Sequence, residues 1–457
     1  MNLQLQSLLG LVGLMSSTVL ASEVVLEGAP PVEATPASHR ANHAVSTIPL
    51  RFGAPSDLGV ALSPVIEAPL NPVVDIAICL DTSGSMDGLI GSAKQKLWSI
   101  VNEFVFAQPM PELRVALFTY GNDGHDPEGG WVKLETGLTE DLDLVSERLF
   151  AQTTNGGTEL VGRVVNAAAG QLDWSQEVDA LKLVIVAGNE TADQDTVVSF
   201  RQACGSAIAR DIMVNAIYCG APGDADAASW REVARLADGQ FAAIDQGLGQ
   251  LAIATPFDAE LATLSTGLNE TYLAYGAQGA WSLNNQVVQD SNAVGLNSEA
   301  AASRAFCKAN GLYNCASWDL VDAVRTQSVV LADIKVEDLP EEMKVMTPEQ
   351  REVHVATMQE RRSSLQAQVN DISKEREAFL QAELAKQQGA QAVSLDAAIK
   401  RLVRDQARAK GYRFPSPLPA APATSDVTPA APAAGEAQVP ASTPAQRVAP
   451  APQIPGC

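Results

Sequence analysis

VVDIAICLDTSGSM, residues 73 to 86, opens as a nearly unbroken apolar run of strand length and closes in a carboxylate and two hydroxyls. Asp81, Ser83 and Ser85 fall on alternating positions of a tight turn that contains Gly84. Three hard oxygen donors so spaced make half of a cation site. An alternative is a plain strand-to-helix turn in which Ser and Asp only cap the next helix.

Outward from this stretch the sequence alternates. GLIGSAKQKLWSIVNEFV has helical spacing and LRVALFTYG reads as a buried strand. WVKLETGL alternates like an edge strand, and DLDLVSERLF and TELVGRVVNAAAGQL read as helices. Then come strand ALKLVIVAG, helix TVVSFRQACGSAIAR, strand IMVNAIYCG, helix DAASWREVARLAD and a short strand GQFAAID. Apolar strands alternating with helices predict an α/β fold over 70–250, a doubly wound, mostly parallel sheet covered on both faces. Such sheets bind ligands at the carboxyl ends of their strands, where the DTSGSM turn lies. Two more loops belong at that end. TTNGGTEL sets Thr158 behind paired glycines, and AGNETADQD follows the strand ALKLVIV. Serine and threonine hydroxyls with one or more carboxylates suit Mg²⁺ or Mn²⁺, with Ca²⁺ as the larger alternative.

The chain has 457 residues, 46% of them apolar, and its 26 prolines bunch towards the ends. Residues 1–21 have the apolar core and small-residue cleavage site of a signal peptide, which predicts a periplasmic or secreted protein. Residues 22–68 read as a disordered linker and 414–457 as a Pro/Ala-rich disordered tail. A net charge of −23 argues against nucleic acid as a partner, and four dispersed histidines argue against a zinc hydrolase. In an oxidising compartment Cys307 with Cys315, and Cys204 with Cys219, are candidate disulfides.

Residues 256–345 are mainly helical, with helices at DAELATLSTGLNETYLAYG, NSEAAASRAFCKANG and SWDLVDAV. Over 347–412, TPEQ predicts a capped start to a long helix, and a shorter helix follows from SLDAAIK. Met358, Leu365, Val369, Ile372 and Phe379 recur along the long helix, while Arg362 and Arg376 interrupt the apolar seam. A coiled coil that lets the chain self-associate and a helix packed on its own domain are both consistent with that pattern.

DTSGSM on a first strand, with GGTE in a later loop, resembles the von Willebrand factor type A (VWA) domain and its metal-ion-dependent adhesion site (MIDAS). The resemblance covers about 70–250 and implies that Asp81, Ser83, Ser85 and Thr158 are metal ligands. Members of that family usually carry an aspartate followed by glycine at the end of the strand before the third loop. Gly188 and Asn189 stand there in this chain, which leaves Glu190, Asp193 and Asp195 as replacements. LKLVIVAGNETADQD, WDLVDAV and DLPEEM are also similar to bacterial exported proteins of the family. The expectation is a non-enzymatic, adhesion-type module that uses its metal to coordinate an acidic side chain of a partner protein. The alternative is an envelope scaffold that acts through its C-terminal helices and keeps a metal-free site.

Overall fold

The computed structural model describes residues 72–243, 253–387 and 395–415. The expected signal peptide, the linker and nearly all of the Pro/Ala-rich tail lie outside the described residues. Six strands form one sheet: β1 (Val73–Asp81), β2 (Glu112–Tyr120), β3 (Val132–Thr139), β4 (Leu181–Gly188), β5 (Met213–Tyr218) and β6 (Phe241–Ala243). Their order is β3-β2-β1-β4-β5-β6, and only the β2–β3 pair is antiparallel. This is the doubly wound, mostly parallel α/β sheet that the alternating sequence predicts. Asp81 pairs with Tyr120, and Leu80 with Ala187, so β1, β2 and β4 end level and release their loops together.

The period-two geometry of a strand sorts β1 between two cores. Val74, Ile76 and Leu80 pack against Leu97, Trp98, Val101 and Phe104 of α1 (Ile90–Val105) and Val145 and Leu149 of α2 (Leu142–Phe150). Ala77 and Cys79 face the other way, towards α3 (Val161–Gln171), α4 (Phe200–Ile208) and α5 (Ala227–Leu236).

The remaining helices are α6 (Asp258–Asn269), α7 (Gly276–Leu296), α8 (Ser298–Lys308), α9 (Leu320–Arg325), α10 (Pro348–Gln387) and α11 (Leu395–Ala409). They pack outside the helices of one sheet face: α8 and α11 lie on α1, α7 lies on α2, and Leu312, Tyr313, Trp318, Leu402 and Val403 join the core of that face. One buried ion pair, to Asp143, ties these helices to α2, and two more, to Asp290 of α7, join α7 to α8. Arg304 lies 2.7 Å from Asp143 and 2.5 Å from Asp290, and Lys308 lies 2.6 Å from Asp290.

The capping box of α10 forms as the sequence predicts. Thr347 N donates to Gln350 Oε1 at 2.9 Å, and Gln350 N returns a bond to Thr347 Oγ1 at 3.3 Å. Every seventh residue then turns inward: Val355, Arg362, Val369 and Arg376 are all buried. The two arginines that interrupt the apolar seam bind carboxylates of their own chain. Arg362 reaches Asp319 at 2.6 Å and Asp322 at 3.1 Å, and Arg376 reaches Asp258 at 2.9 Å. The inward positions of the long helix thus pack on the rest of the same chain.

The expected pairings do not form among the described residues: Cys204, Cys307 and Cys315 are free, buried thiols, and Cys219 is buried away from Cys204. For Cys204 and Cys219 the reason is the sheet between them, because each belongs to the core on a different face. Cys307 and Cys315 share one core, but the chain between them turns through its own backbone bonds, Asn310 N to Cys307 O and Tyr313 N to Asn310 O.

Candidate metal centre

β1 and β4 are neighbours whose following strands lie on opposite sides, so the strand order reverses between them. A crevice opens at the carboxyl end of such a pair. Asp81 ends β1 on one side of it, and Gly188 ends β4 on the other.

The turn after β1 is pinned by its neighbours. Thr82 N donates to Tyr120 O at 2.8 Å, Asn155 N to Thr82 O at 3.0 Å and Gly84 N to Gly156 O at 2.9 Å. Asn122 Nδ2 bonds Thr82 O and Thr153 O, joining the first two loops to the end of β2. Thr158 forms a backbone bridge with Gly121. Gly121 has a φ of +79°, and a Cβ there would lie 2.8 Å from Asp81 Oδ1, 3.2 Å from Glu159 Cγ and 3.4 Å from Ser83 Cβ. Only glycine lets the chain pass so close to both carboxylates.

Within this frame the oxygens crowd together. Ser83 N donates to Asp81 Oδ1 at 2.7 Å, and the Oγ atoms of Ser83 and Ser85 are 2.9 Å apart. Ser85 Oγ is also 2.9 Å from Asn189 Oδ1 and 3.3 Å from Glu159 Oε1. One hydroxyl proton cannot serve all of these acceptors. Asp81 Oδ2 is buried and has no hydrogen-bond partner. Burial, and then the Glu159 carboxylate, push the Asp81 carboxyl up to about 9 against the pull of Ser83. Glu159 is raised too, first by its burial. Among the described residues neither carboxylate is ion-paired with Lys or Arg.

The third loop departs from the expected replacements. Asp193 pairs with Arg201 at 2.7 Å, while Asp195 pairs with Arg163 at 3.0 Å and accepts from Val197 N and Val198 N. Both are thereby engaged away from the cluster. Glu190 stays nearer: it accepts from Gln194 Nε2 at 2.7 Å, and its charge raises Glu159. Gly188 has no room for an aspartate, because a Cβ there would lie 2.5 Å from the Tyr120 hydroxyl and 3.0 Å from Trp230 Cη2. Asn189, one residue on, supplies the oxygen that reaches Ser85. Asn189 and Glu159 are therefore the members that the sequence reading missed. The signal for Glu159 was its place directly after Thr158 in the same loop.

An orphaned, buried carboxylate oxygen among hydroxyl and amide oxygens fits a hard cation. Among the described residues no cluster of three or more His, Cys, Asp or Glu could hold a metal. Serine and asparagine oxygens must therefore supply part of any shell here.

No family model matches the chain, and no curated protein matches it. Among solved structures the chain is similar to proximal thread matrix protein 1 from the mussel byssus, solved with a zinc-occupied MIDAS motif. That match has a TM-score of 0.31 and 17% identity, and covers 39% of this chain and 43% of that one. It is similar also to the von Willebrand factor type A structure from Catenulispora acidiphila, with TM-score 0.31 and 20% identity over 39% of this chain and 40% of that one. A third is the pilus adhesin SpaC from Lactobacillus rhamnosus GG, with TM-score 0.31 and 14% identity over 39% of this chain and 29% of that one. The chain spans less than half the length of each of the three.

Proposed function

We propose that the protein is an exported, non-enzymatic protein-binding module, periplasmic or secreted, that uses a divalent cation at the β1–β4 crevice to take an acidic side chain of a partner. Asp81, Ser83, Ser85 and Thr158 would hold the ion, Mg²⁺ or Mn²⁺ with Ca²⁺ as the larger alternative. The ion would supply an electrophilic centre for a carboxylate. The chain's own part is to hold the oxygens in register through the Thr82, Gly84 and Asn122 bonds and to keep Asp81 dry.

The observation that carries this reading is Asp81 Oδ2, buried and unpartnered where three loops meet. The rival, a scaffold working through its C-terminal helices, is weakened by α10, whose inward positions already bind its own chain. Among the described residues no helix is long and apolar enough to cross a membrane. The test is retention of Asp- and Glu-containing peptides by the immobilised full chain. Retention in Mg²⁺ or Mn²⁺ that is lost on adding EDTA, and lost in Asp81→Ala, is expected. Retention undiminished by either change would remove the cation from the mechanism.

A further inference from the structure

We propose that Glu159 is the second carboxylate of this centre and does the work that an aspartate at the end of β4 cannot do in this chain. The inference rests on the cation reading above. Three observations carry it. Gly188 is walled in by the Tyr120 hydroxyl and Trp230, so a carboxylate cannot enter from that position. Asn189 enters instead, and it brings a neutral oxygen. Glu159 is 2% exposed, its Oε1 is 3.3 Å from Ser85 Oγ, and its Cγ lies beside Gly121, the residue that also abuts Asp81 and Ser83.

The placement of Glu159 is held from behind. Its backbone N donates to Gln194 Oε1 at 3.2 Å, and Gln194 Nε2 donates in turn to Glu190 at 2.7 Å. The second and third loops therefore fix the backbone at Glu159 jointly. Two buried carboxylates without a Lys or Arg partner are costly to hold together as anions unless one keeps a proton or a cation lies between them, and a bound cation displaces that proton. A dication bound by Asp81 and Glu159 has its formal charge balanced within the chain. Glutamine at 159 keeps the shape and an oxygen acceptor for Ser85 but removes one of the two charges. The ion then binds more weakly, and any ion retained draws an acidic group more strongly.

The experiment is calorimetric titration of Mn²⁺ into the full chain, comparing wild type, Glu159→Gln and the exposed loop control Glu128→Gln. Because ligand charge count sets affinity in such sites, Glu159→Gln is expected to weaken Mn²⁺ by about tenfold or more, with Glu128→Gln unchanged. Thermal melts in EDTA check that Glu159→Gln is folded. Should it not fold, Glu159→Asp, which keeps the charge on a shorter arm, is expected to bind Mn²⁺ more weakly than wild type. Wild-type binding matched by Glu159→Gln, or by Glu159→Asp where that variant replaces it, would overturn the proposal and leave the cation reading standing. No Mn²⁺ binding by wild type would overturn both.

Discussion

Replacing Arg362 by methionine tests how α10 is held. The guanidinium lies 3.9 Å over the Tyr272 ring, donates from Nη1 to Asp319 Oδ2 at 2.6 Å, and bonds Thr271 through Nε at 3.0 Å and Nη2 at 2.7 Å. Asp322 is 3.1 Å from the same Nη1. Methionine fills much of the space but leaves Asp319 and Asp322 buried and facing each other, along with an unmet carbonyl at Thr271. Removing one partner of a buried ion pair costs about 3–5 kcal/mol. Equilibrium urea unfolding of the full chain, wild type against Arg362→Met, measures this directly. The triple variant Arg362→Met, Asp319→Asn, Asp322→Asn should recover most of the loss, because neutral replacement of a whole buried ionic group is often tolerated. If Arg362→Met instead costs less than about 1 kcal/mol and converts the chain to a stable dimer, the inward face of α10 belongs to a coiled coil between copies and this account of the helix is wrong.

Two further outcomes follow from the geometry. Gly188→Asp, which would place a carboxylate at the end of β4, forces a Cβ to within 2.5 Å of the Tyr120 hydroxyl. It should destabilise the fold by about 1–3 kcal/mol and leave cation affinity no higher, as urea unfolding and Mn²⁺ titration would report. Asp290 concerns acid stability. Burial pushes its carboxyl up, but the Arg304 and Lys308 charges outweigh this and hold it below the ordinary range. A group depressed in the folded state stabilises fully above its unfolded value, near about 3.9, and loses that contribution as pH falls through the folded value. Asp290→Asn should therefore show a flatter dependence of stability on pH in that acid window than wild type; equal slopes would contradict the pairing.

Much of the fold could be read from the sequence because its central strands are buried on both faces and therefore nearly all apolar. α7 could not. Its inward side carries Ser282, Asn285, Gln286 and Gln289, all buried, while Trp281, Val287, Val288 and Val294 face solvent. That inverts the pattern by which an amphipathic helix is recognised. The polar residues are inward because they meet polar partners, Gln289 accepting from Ser146 and Gln286 donating to the Tyr313 hydroxyl. Arg362 and Arg376 carried the opposite lesson. They read as faults in an apolar seam, yet they are its buried contacts, each bonded to a carboxylate, 43 and 118 residues away in sequence. At the site, Asp81, Ser83 and Ser85 were legible from local spacing. Glu159 was signalled only by its place directly after Thr158, and Asn189 not at all, since its role depends on the space denied to a side chain at position 188.

In the proposed centre, oxygens from β1 and its turn, the Thr158–Glu159 loop and the end of β4 together hold one divalent ion. Diffraction from crystals of the full chain grown with Mn²⁺, recorded at the manganese edge, tests it directly. A single anomalous peak is expected within coordination distance of the Ser83 and Ser85 hydroxyls and the Glu159 carboxylate. Manganese-free density there, with Asp81 Oδ2 still unpartnered, would contradict it.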